Sequence, residues 1–421
     1  MRWGTSTFRP GRLGAGVKAK QGAGFGSVLR SPGYRRLWLA RTISQGGDVM
    51  QFTTLALLVL RLTGSGAGLS AAVLAEIAAV LLLAPVAGAV VDRLPRVAVM
   101  VVADLVRLVL AAALAVWRGD IAMVYAVAFG LSAGAVFFNP AAGSLLPSVV
   151  AKEQLSAANS GIWSAAVLSQ IVMAPIAGIV AGTAGFGWAF AINAASFAVS
   201  ALLLRGLRSG EAPRPIVTAG IFTHSREAFT LLSRDRLLRA LAIAQGLAAL
   251  SAGATSALLV LLATRRLHAS GSGYGLLLAA IGVGALAGPF LLTRLSVQAR
   301  RPRVVFAAFG LRGLVDLVLA SVTALPAALG ALVLYGMGTS TGNVTFSTLI
   351  QSHVAEGLRG RVFSAFDLIW QTMRLASVLL GGVLADAFGI RSLYYLGAAL
   401  LLLAALAGFT AGGPPDTASS R

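Results

Sequence analysis

The 421-residue chain has no cysteine, three histidines and only 14 acids against 34 lysines and arginines. Without cysteine, neither a disulfide nor a thiolate metal site can form. His224, His268 and His353 are scattered and match no ligand spacing, so no metal is expected. Lysine is nearly absent too: Lys18, Lys20 and Lys152 complete the inventory, and none stands in a Gly-x-x-x-x-Gly-Lys-Ser/Thr loop. The chain therefore carries no nucleotide-driven engine of its own, and no cofactor is implied. Charge is scarce at 11% of residues, while 57% are hydrophobic and the mean hydropathy is +0.84, far too apolar for a soluble globule.

What is present is a series of apolar runs, each long enough to span a hydrocarbon core of ~30 Å. Twelve segments are predicted: 37–62, 69–91, 97–117, 121–146, 161–184, 186–204, 237–263, 274–292, 304–322, 327–350, 363–387 and 393–410. This divides the chain into a basic disordered tail (1–36), a six-helix bundle (37–204), a central loop (205–236), a second six-helix bundle (237–410) and a short tail (411–421). Arginine and lysine crowd the N-terminal tail and the loops on its side, including Arg93, Arg96, Lys152, Arg205, Arg239, Arg303 and Arg359. The opposite loops hold only Arg61, Arg118, Arg265, Arg266 and Arg391. This asymmetry predicts a multi-pass protein of the cell membrane with both termini, the central loop and the second tail cytoplasmic. The net charge of +20 is then mostly topology, and its dispersal among short loops argues against a nucleic-acid partner. The tail has no apolar h-region and is not a signal peptide; it is expected to lie near anionic headgroups of the bilayer.

The halves look like copies. Pro95-Arg96-Val97 opens the third segment and Pro302-Arg303-Val304 the ninth. Leu105-Val-Arg107-Leu-Val-Leu-Ala111 matches Leu314-Val-Asp316-Leu-Val-Leu-Ala320 except at the charge. Gly178-Ile-Val-Ala-Gly-Thr-Ala-Gly185 parallels Gly382-Val-Leu-Ala-Asp-Ala-Phe-Gly389. Such a repeat places a site at mid-membrane, between the bundles.

Charges inside the apolar segments cost at least ~2.5–3.5 kcal/mol each at helix-centre depth and mark substrate or ion pathways. Asp48, Glu76, Asp104, Asp316 and Asp367 lie there with Arg41, Arg107, Arg312 and Arg374. Asp104/Arg107 and Arg312/Asp316 are three and four residues apart, and Arg41/Asp48 and Asp367/Arg374 seven, so each pair shares a helix face. Each arginine either neutralises the acid of its own helix or lines a cavity. Arg41 and Asp367 are near segment ends and can snorkel. Glu76 has no basic residue on its own helix, and Asp48 sits at mid-depth, so these two are the candidates to exchange a proton. Trp163, Trp370, Gln170, Gln371 and Asn343 are further candidates for a cavity wall. Gly282, Gly284 and Gly288 suit close helix packing.

Between segments 2 and 3 stands Gly88-Ala-Val-Val-Asp92-Arg93-Leu94-Pro95-Arg96. Gly88 permits close helix approach, Asp92 is a fixed negative charge at a helix end, and Arg93 and Arg96 pin a turn to the inner face. This resembles the Gly-x-x-x-Asp-Arg-x-Gly-Arg signature of the major facilitator transporters, with proline in place of the second glycine. In segment 5, Gly161, Pro175 and Gly178 match part of the family antiporters' glycine–proline pattern, a hinge and packing element. Phe138-Asn139-Pro140-Ala141, Leu146-Pro147, Glu153-Gln-Leu155, Ile43-Ser-Gln-Gly-Gly-Asp48 and Arg359-Gly-Arg361-Val362 look like the enterobactin-exporter and macrolide-efflux branch. The resemblance covers residues 31–410. It departs in segment 4, where 126–134 lacks the membrane arginine of many drug/proton antiporters.

The resemblance implies an all-α fold of twelve membrane helices in two six-helix bundles. It implies a monomeric secondary transporter that exports a small amphipathic organic molecule in exchange for protons. In the family, the loop at Gly88, Asp92, Arg93 and Arg96 latches the halves when the cavity faces outward. Arg107, Asp104, Arg312, Asp316 and Arg374 become cavity charges. An importer or an uncoupled facilitator of the same fold is the alternative. A non-transporting sensor or a lipid-handling enzyme is remote, because no nucleophile–base set stands at a membrane boundary.

Overall fold

The computed structural model describes residues 25–207, 230–294 and 301–411. Twelve long helices follow one another: α1 Pro32–Thr63, α2 Gly66–Arg93, α3 Arg96–Val116, α4 Ile121–Val149, α5 Leu155–Thr183, α6 Phe186–Arg205, α7 Arg236–Ala257, α8 Gly271–Arg294, α9 Pro302–Ser321, α10 Leu325–His353, α11 Glu356–Phe388 and α12 Ile390–Ala411. Local chemistry sets their ends. Ser31, Ser65, Asp120 and Asp235 accept backbone N–H groups at the starts of α1, α2, α4 and α7. Gly64 stops α1 in a left-handed conformation (φ 61°), where its N–H reaches back to Leu60 O. Gly185 and Gly389, which close the two repeats quoted above, both adopt positive φ (93° and 80°) between α5 and α6 and between α11 and α12.

Among the described residues, ten of these helices are long and apolar enough to cross a membrane by length and composition. The two that fall short, α1 and α10, have 32 and 29 residues and fail through polarity alone. Both owe it to cavity-facing positions: Gln45, Asp48 and Gln51 on α1, and Tyr335, Thr339 and Asn343 on α10. Outward, by contrast, Leu82, Val109, Leu202, Phe290, Val383 and Leu406 are exposed. That apolar exterior is what a bilayer covers.

Packing follows a repeat of six. In the first half α1 packs on α5 and α6, α2 on α4, and α3 on α4 and α6. In the second, α7 packs on α11 and α12, α8 on α10, and α9 on α10 and α12. The halves meet where α5 lies on α8 and α2 on α11, contacts that the same repeat relates. Their polar ties cluster towards the end of the molecule away from the chain termini. Asp386 accepts the N–H groups of Gly66 (2.7 Å) and Ala67 (2.9 Å) and Arg265 donates to Gly64 O, while Gln170 donates to Leu278 O at 3.0 Å deeper in the α5–α8 contact. At that end Gly178 meets Gly271 so closely that a Cβ on Gly178 would collide with the Gly271 carbonyl.

Two boundaries differ from expectation. The tail predicted over 1–36 is helical over Phe25–Val28, and α1 already begins at Pro32. Phe25 stacks edge-on against Trp38 at 5.8 Å and fills the space beside Gly161, and Ser31 donates to Val149 O at 2.8 Å, so these residues are anchored by the bundle. In the central loop, 230–234 lead into the Asp235 cap and are mostly helical. The rest of the first tail, 208–229 of the loop and most of the second tail lie outside the described residues.

Candidate substrate cavity

Two cavities of about 380 and 510 Å3 share Phe52, Gln170 and Leu278 in their walls and form two lobes at the junction of the halves. The first-half lobe holds Gln45, Asp48, Glu76 and Arg107. Arg107, on α3, is 3% exposed and donates to both carboxylate oxygens of Asp48 on α1, at 2.6 and 2.7 Å. Its other terminal nitrogen lies 3.3 Å from Asp104, which is fully buried. The guanidinium also stands 4.0 Å from the Phe197 ring centroid. The local pairing of Arg107 with Asp104 is thus the weaker arm of a cluster whose short arm, to both oxygens of one carboxylate, crosses between helices. Gly134 of α4 makes room for the arginine: a Cβ there would crowd its Cγ and Cδ.

Glu76 lines the same lobe from α2, and its carboxylate has no hydrogen-bond partner among the described residues. No cation within its own membrane segment reaches it, but Arg374 of α11 acts on it electrostatically across the α2–α11 contact, as does Asp48. The pairing of Asp48 with Arg41 and of Asp367 with Arg374, suggested by spacings of seven residues, is not formed. Asp48 is taken by Arg107, and Asp367 is exposed.

The second-half lobe has a different character. Its walls are Phe309, Tyr335, Phe346 and Trp370 with the amides Gln245 and Asn343, and its charged lining residue is Arg312 of α9. Arg312 is 6% exposed, donates to the Tyr335 hydroxyl at 3.0 Å and lies 4.9 Å from that ring's centroid. Its Nε has no hydrogen-bond partner among the described residues. Asp316, expected to neutralise it, is 1% exposed and instead accepts from Ser251 of α7 at 3.3 Å. Arg312 acts on that carboxylate through space, and no ion pair joins the two among the described residues.

The structure also corrects the register of the repeat. Gly338 of α10 sits against the Arg312 Cγ and the Ala308 carbonyl, as Gly134 of α4 sits against the Arg107 Cγ and the Ala103 carbonyl. The structural counterpart of Arg107 is therefore Arg312, not Asp316. A slip of one helical turn keeps the same face of a Leu- and Ala-rich helix, which is why the sequence match is degenerate.

Of the loop residues, Gly88 has no neighbouring atom among the described residues within 4 Å of where a Cβ would stand, so the close approach expected there is not made by them in this state. Asp92 is half-buried and makes no hydrogen bond or ion pair among the described residues; Arg93 is exposed and Arg96 half-buried. Gly161 packs against Phe25 and Tyr34 rather than at the contact between halves, whereas Pro175 and Gly178 stand in that contact, against Gly275 and Gly271. Trp370, Gln170 and Asn343 are in the cavity wall, and Trp163 is exposed. Phe52, Phe309, Tyr335 and Phe346 escape sequence reasoning. An aromatic on a membrane helix gives no sign of which face it occupies until the neighbouring helices are in place.

Known proteins bear on this geometry. The multidrug efflux pump Tap of Mycobacterium tuberculosis is 27% identical over 379 residues, covering 87% of this chain and 90% of that protein. Tap of Mycolicibacterium fortuitum is 27% identical over 397 residues, 91% and 96% of the two chains. Among solved structures, an inward-facing bacterial homologue of the iron transporter ferroportin superposes with a TM-score of 0.72 at 20% identity, over 91% of this chain and 99% of that one. The nucleoside transporter NupG gives 0.71 at 14% identity, over 90% and 98%. The family model of the Major Facilitator Superfamily matches residues 37–378 and 241–421. With twelve helices in two related halves around a central cavity, the chain is a multi-pass membrane transporter belonging to the major facilitator superfamily.

Proposed function

We propose that this transporter exports a small amphipathic organic molecule across the cell membrane in exchange for protons, working as a monomer by alternating access. Orientation rests on the arginine-rich loops: both termini are cytoplasmic, so the end sealed by Asp386 and Gly178 faces outward and the cavity is offered to the cytoplasm. Gly88, Asp92, Arg93 and Arg96 form the latch of the opposite state, in which the halves close on the cytoplasmic side. The name of the Tap pumps supports an exporter of drug-like molecules, and the aromatic wall of the second lobe supports an apolar cargo. Both halves of the cavity come from one chain, which supports a monomer.

The observation that carries proton exchange is the contrast between the two cavity carboxylates. Asp48 is held by two charge-assisted hydrogen bonds from Arg107. Glu76 is unbonded among the described residues, in the same lobe, and open to either a proton or a cationic group of the cargo. Glu76 is therefore the primary proton site, and Asp48 gates it through Arg107. The test is proteoliposomes with an imposed pH gradient. Glu76→Gln should abolish uphill transport while downhill substrate exchange continues, and Asp48→Asn should impair both. Uphill transport by Glu76→Gln, Asp48→Asn and the double variant would dismiss both carboxylates. Indifference of the wild type to collapse of the gradient would make the protein an uncoupled facilitator.

A further inference from the structure

The two halves hold equivalent arginines in unequal company. Arg107 has both oxygens of Asp48 and a second carboxylate in Asp104. For Arg312 the same places are empty of acids. In the register set by Gly134 and Gly338, Phe309 stands on α9 where α3 has Asp104. Helix α7, the counterpart of α1, contains no acidic residue along Arg236–Ala257. Asp316 accepts its one hydrogen bond among the described residues from Ser251. The Arg312 side chain is thus more than nine-tenths buried, lines the cavity, and makes a single hydrogen bond among the described residues, to Tyr335. Its Nε is unpartnered there, as is that of Arg107, so the difference lies in the terminal nitrogens, which carboxylates occupy in the first half only. A buried cation in a membrane protein is costly unless something pairs with it. In the first half the protein supplies that carboxylate itself. In the second half it supplies flat aromatic walls and leaves the planar donor fork open, an arrangement suited to the two oxygens of an acid.

We infer that the cavity selects an amphoteric organic molecule, with an acidic oxygen group such as a carboxylate bound at Arg312 and a protonated amine bound at Glu76. The apolar body between them lies across Phe52, Gln170 and Leu278, which line both lobes, and rests on Tyr335, Phe309 and Trp370. The two lobes together are of the size that holds a drug-sized ligand. The charged groups around the amine end are Asp48 and Asp104, which share Arg107 between them, and Arg374, which lies across the α2–α11 contact. This assignment rests on the reading of the cavity as a site for an organic cargo, but on neither the direction of transport nor its coupling to protons.

The test is binding to the purified full-length protein without any gradient, at alkaline pH, of three probes built on one fused aromatic body. One carries both an amine and a carboxylate, the second the amine and the methyl ester, and the third the acetylated amine and the carboxylate. The wild type should bind the first at least about tenfold more tightly than either of the others, the scale of one charge-assisted contact. Arg312→Gln should bring the first probe down to the affinity of the ester and leave the ester where it was. Glu76→Gln should bring it down to the affinity of the acetylated probe. Equal binding of ester and doubly charged probe by the wild type would overturn the inference whatever the variants do. So would an equal loss of both probes in a folded Arg312→Gln protein, which would make Arg312 a packing residue. A doubly charged probe that binds as expected but never leaves loaded vesicles would overturn export and uphold the assignment.

Discussion

Two carboxylates stand near opposite ends of α2, and only one of them is engaged. At the N-terminal end, Asp386 of α11 takes the N–H groups of Gly66 and Ala67 and lies 3.9 Å from Arg265. At the C-terminal end, among the described residues, Asp92 is free of any hydrogen bond or ion pair and Gly88 one turn back has no close neighbour. Docking a carboxylate on a helix N-terminus joins dipole and hydrogen bonds in one contact. The principle expected at Asp92 is thus realised at the other face. The contrast explains itself mechanically. A two-sided carrier needs one seal shut while the other is open, because two shut seals would trap it. The two seals are also built from different material. On the face we propose to be outside, α5 and α8 touch backbone to backbone through Gly178 and Gly271, with Asp386 and Arg265 as the polar part. Inside, the seal we propose is made of charge, at Asp92, Arg93 and Arg96.

The largest expected effect comes from wedging the backbone contact. Gly178→Val places branched carbons against the Gly271 carbonyl, which has no side chain to move aside, so the outer seal should fail to close and transport should be lost. A cysteine at Ser70, buried against Gly382 where α2 meets α11 at the same end, should become reactive to an impermeant reagent in the variant alone. A closed Ser70 in Gly178→Val would show that the seal does not need the close approach. Next comes Asp92→Asn. It should leave the outward seal, and hence Ser70 protection, as in the wild type, yet strongly lower turnover by removing the charge that holds the inner seal. Wild-type turnover would reduce the loop to a plain turn. Both tests assume the orientation, which a single cysteine checks: Gly119 should label in intact cells and Gly357 should not, since both are exposed and lie at opposite ends.

How far the sequence reaches follows from what each signal encodes. Hydrophobic runs give twelve helices because length and apolarity are properties of single segments, and capping residues such as Ser65 and Asp235 refine their ends. Even so, α1 starts earlier than expected, since Phe25 and Ser31 are ordered by contacts with Trp38, α4 and α5 that no local pattern reveals. Asp48, Glu76, Arg107 and Arg312 can be named because a membrane charge is conspicuous. Their pairing cannot. Spacing along a helix says which residues share a face but not which neighbour that face meets, so it matches Arg107 with Asp104 while the stronger bonds go to Asp48. Asp386 is visible inside the repeat, opposite Gly182, but a lone acid at a helix end has no meaning until the start of α2 is found beside it.

The smallest effect separates the two arms of the outer seal. Asp386 accepts two backbone hydrogen bonds from the first turn of α2, and hydrogen bonds to a charged group contribute about 1.5–3 kcal/mol net. The ion pair with Arg265 is long, at 3.9 Å, and both side chains are partly exposed, so it belongs to the class worth at most ~1 kcal/mol. Arg265 does more through its donation to Gly64 O, which helps hold the turn that presents the N-terminus of α2. Asp386→Ala should therefore shift the balance towards the outward-open state by about tenfold or more, since ~1.4 kcal/mol is a factor of ten. Arg265→Ala should shift it by only a few-fold, and added salt should diminish that shift further by screening the pair. Reactivity of a cysteine at Ser70, measured across the two variants and their combination, reads both. In the double variant the shift should barely exceed that of Asp386→Ala, because most of what Arg265 contributes acts on the same turn. If Arg265→Ala instead matches or exceeds Asp386→Ala, the outer seal is an ion pair rather than a capped helix, and the contrast between the two faces lies in charge count alone.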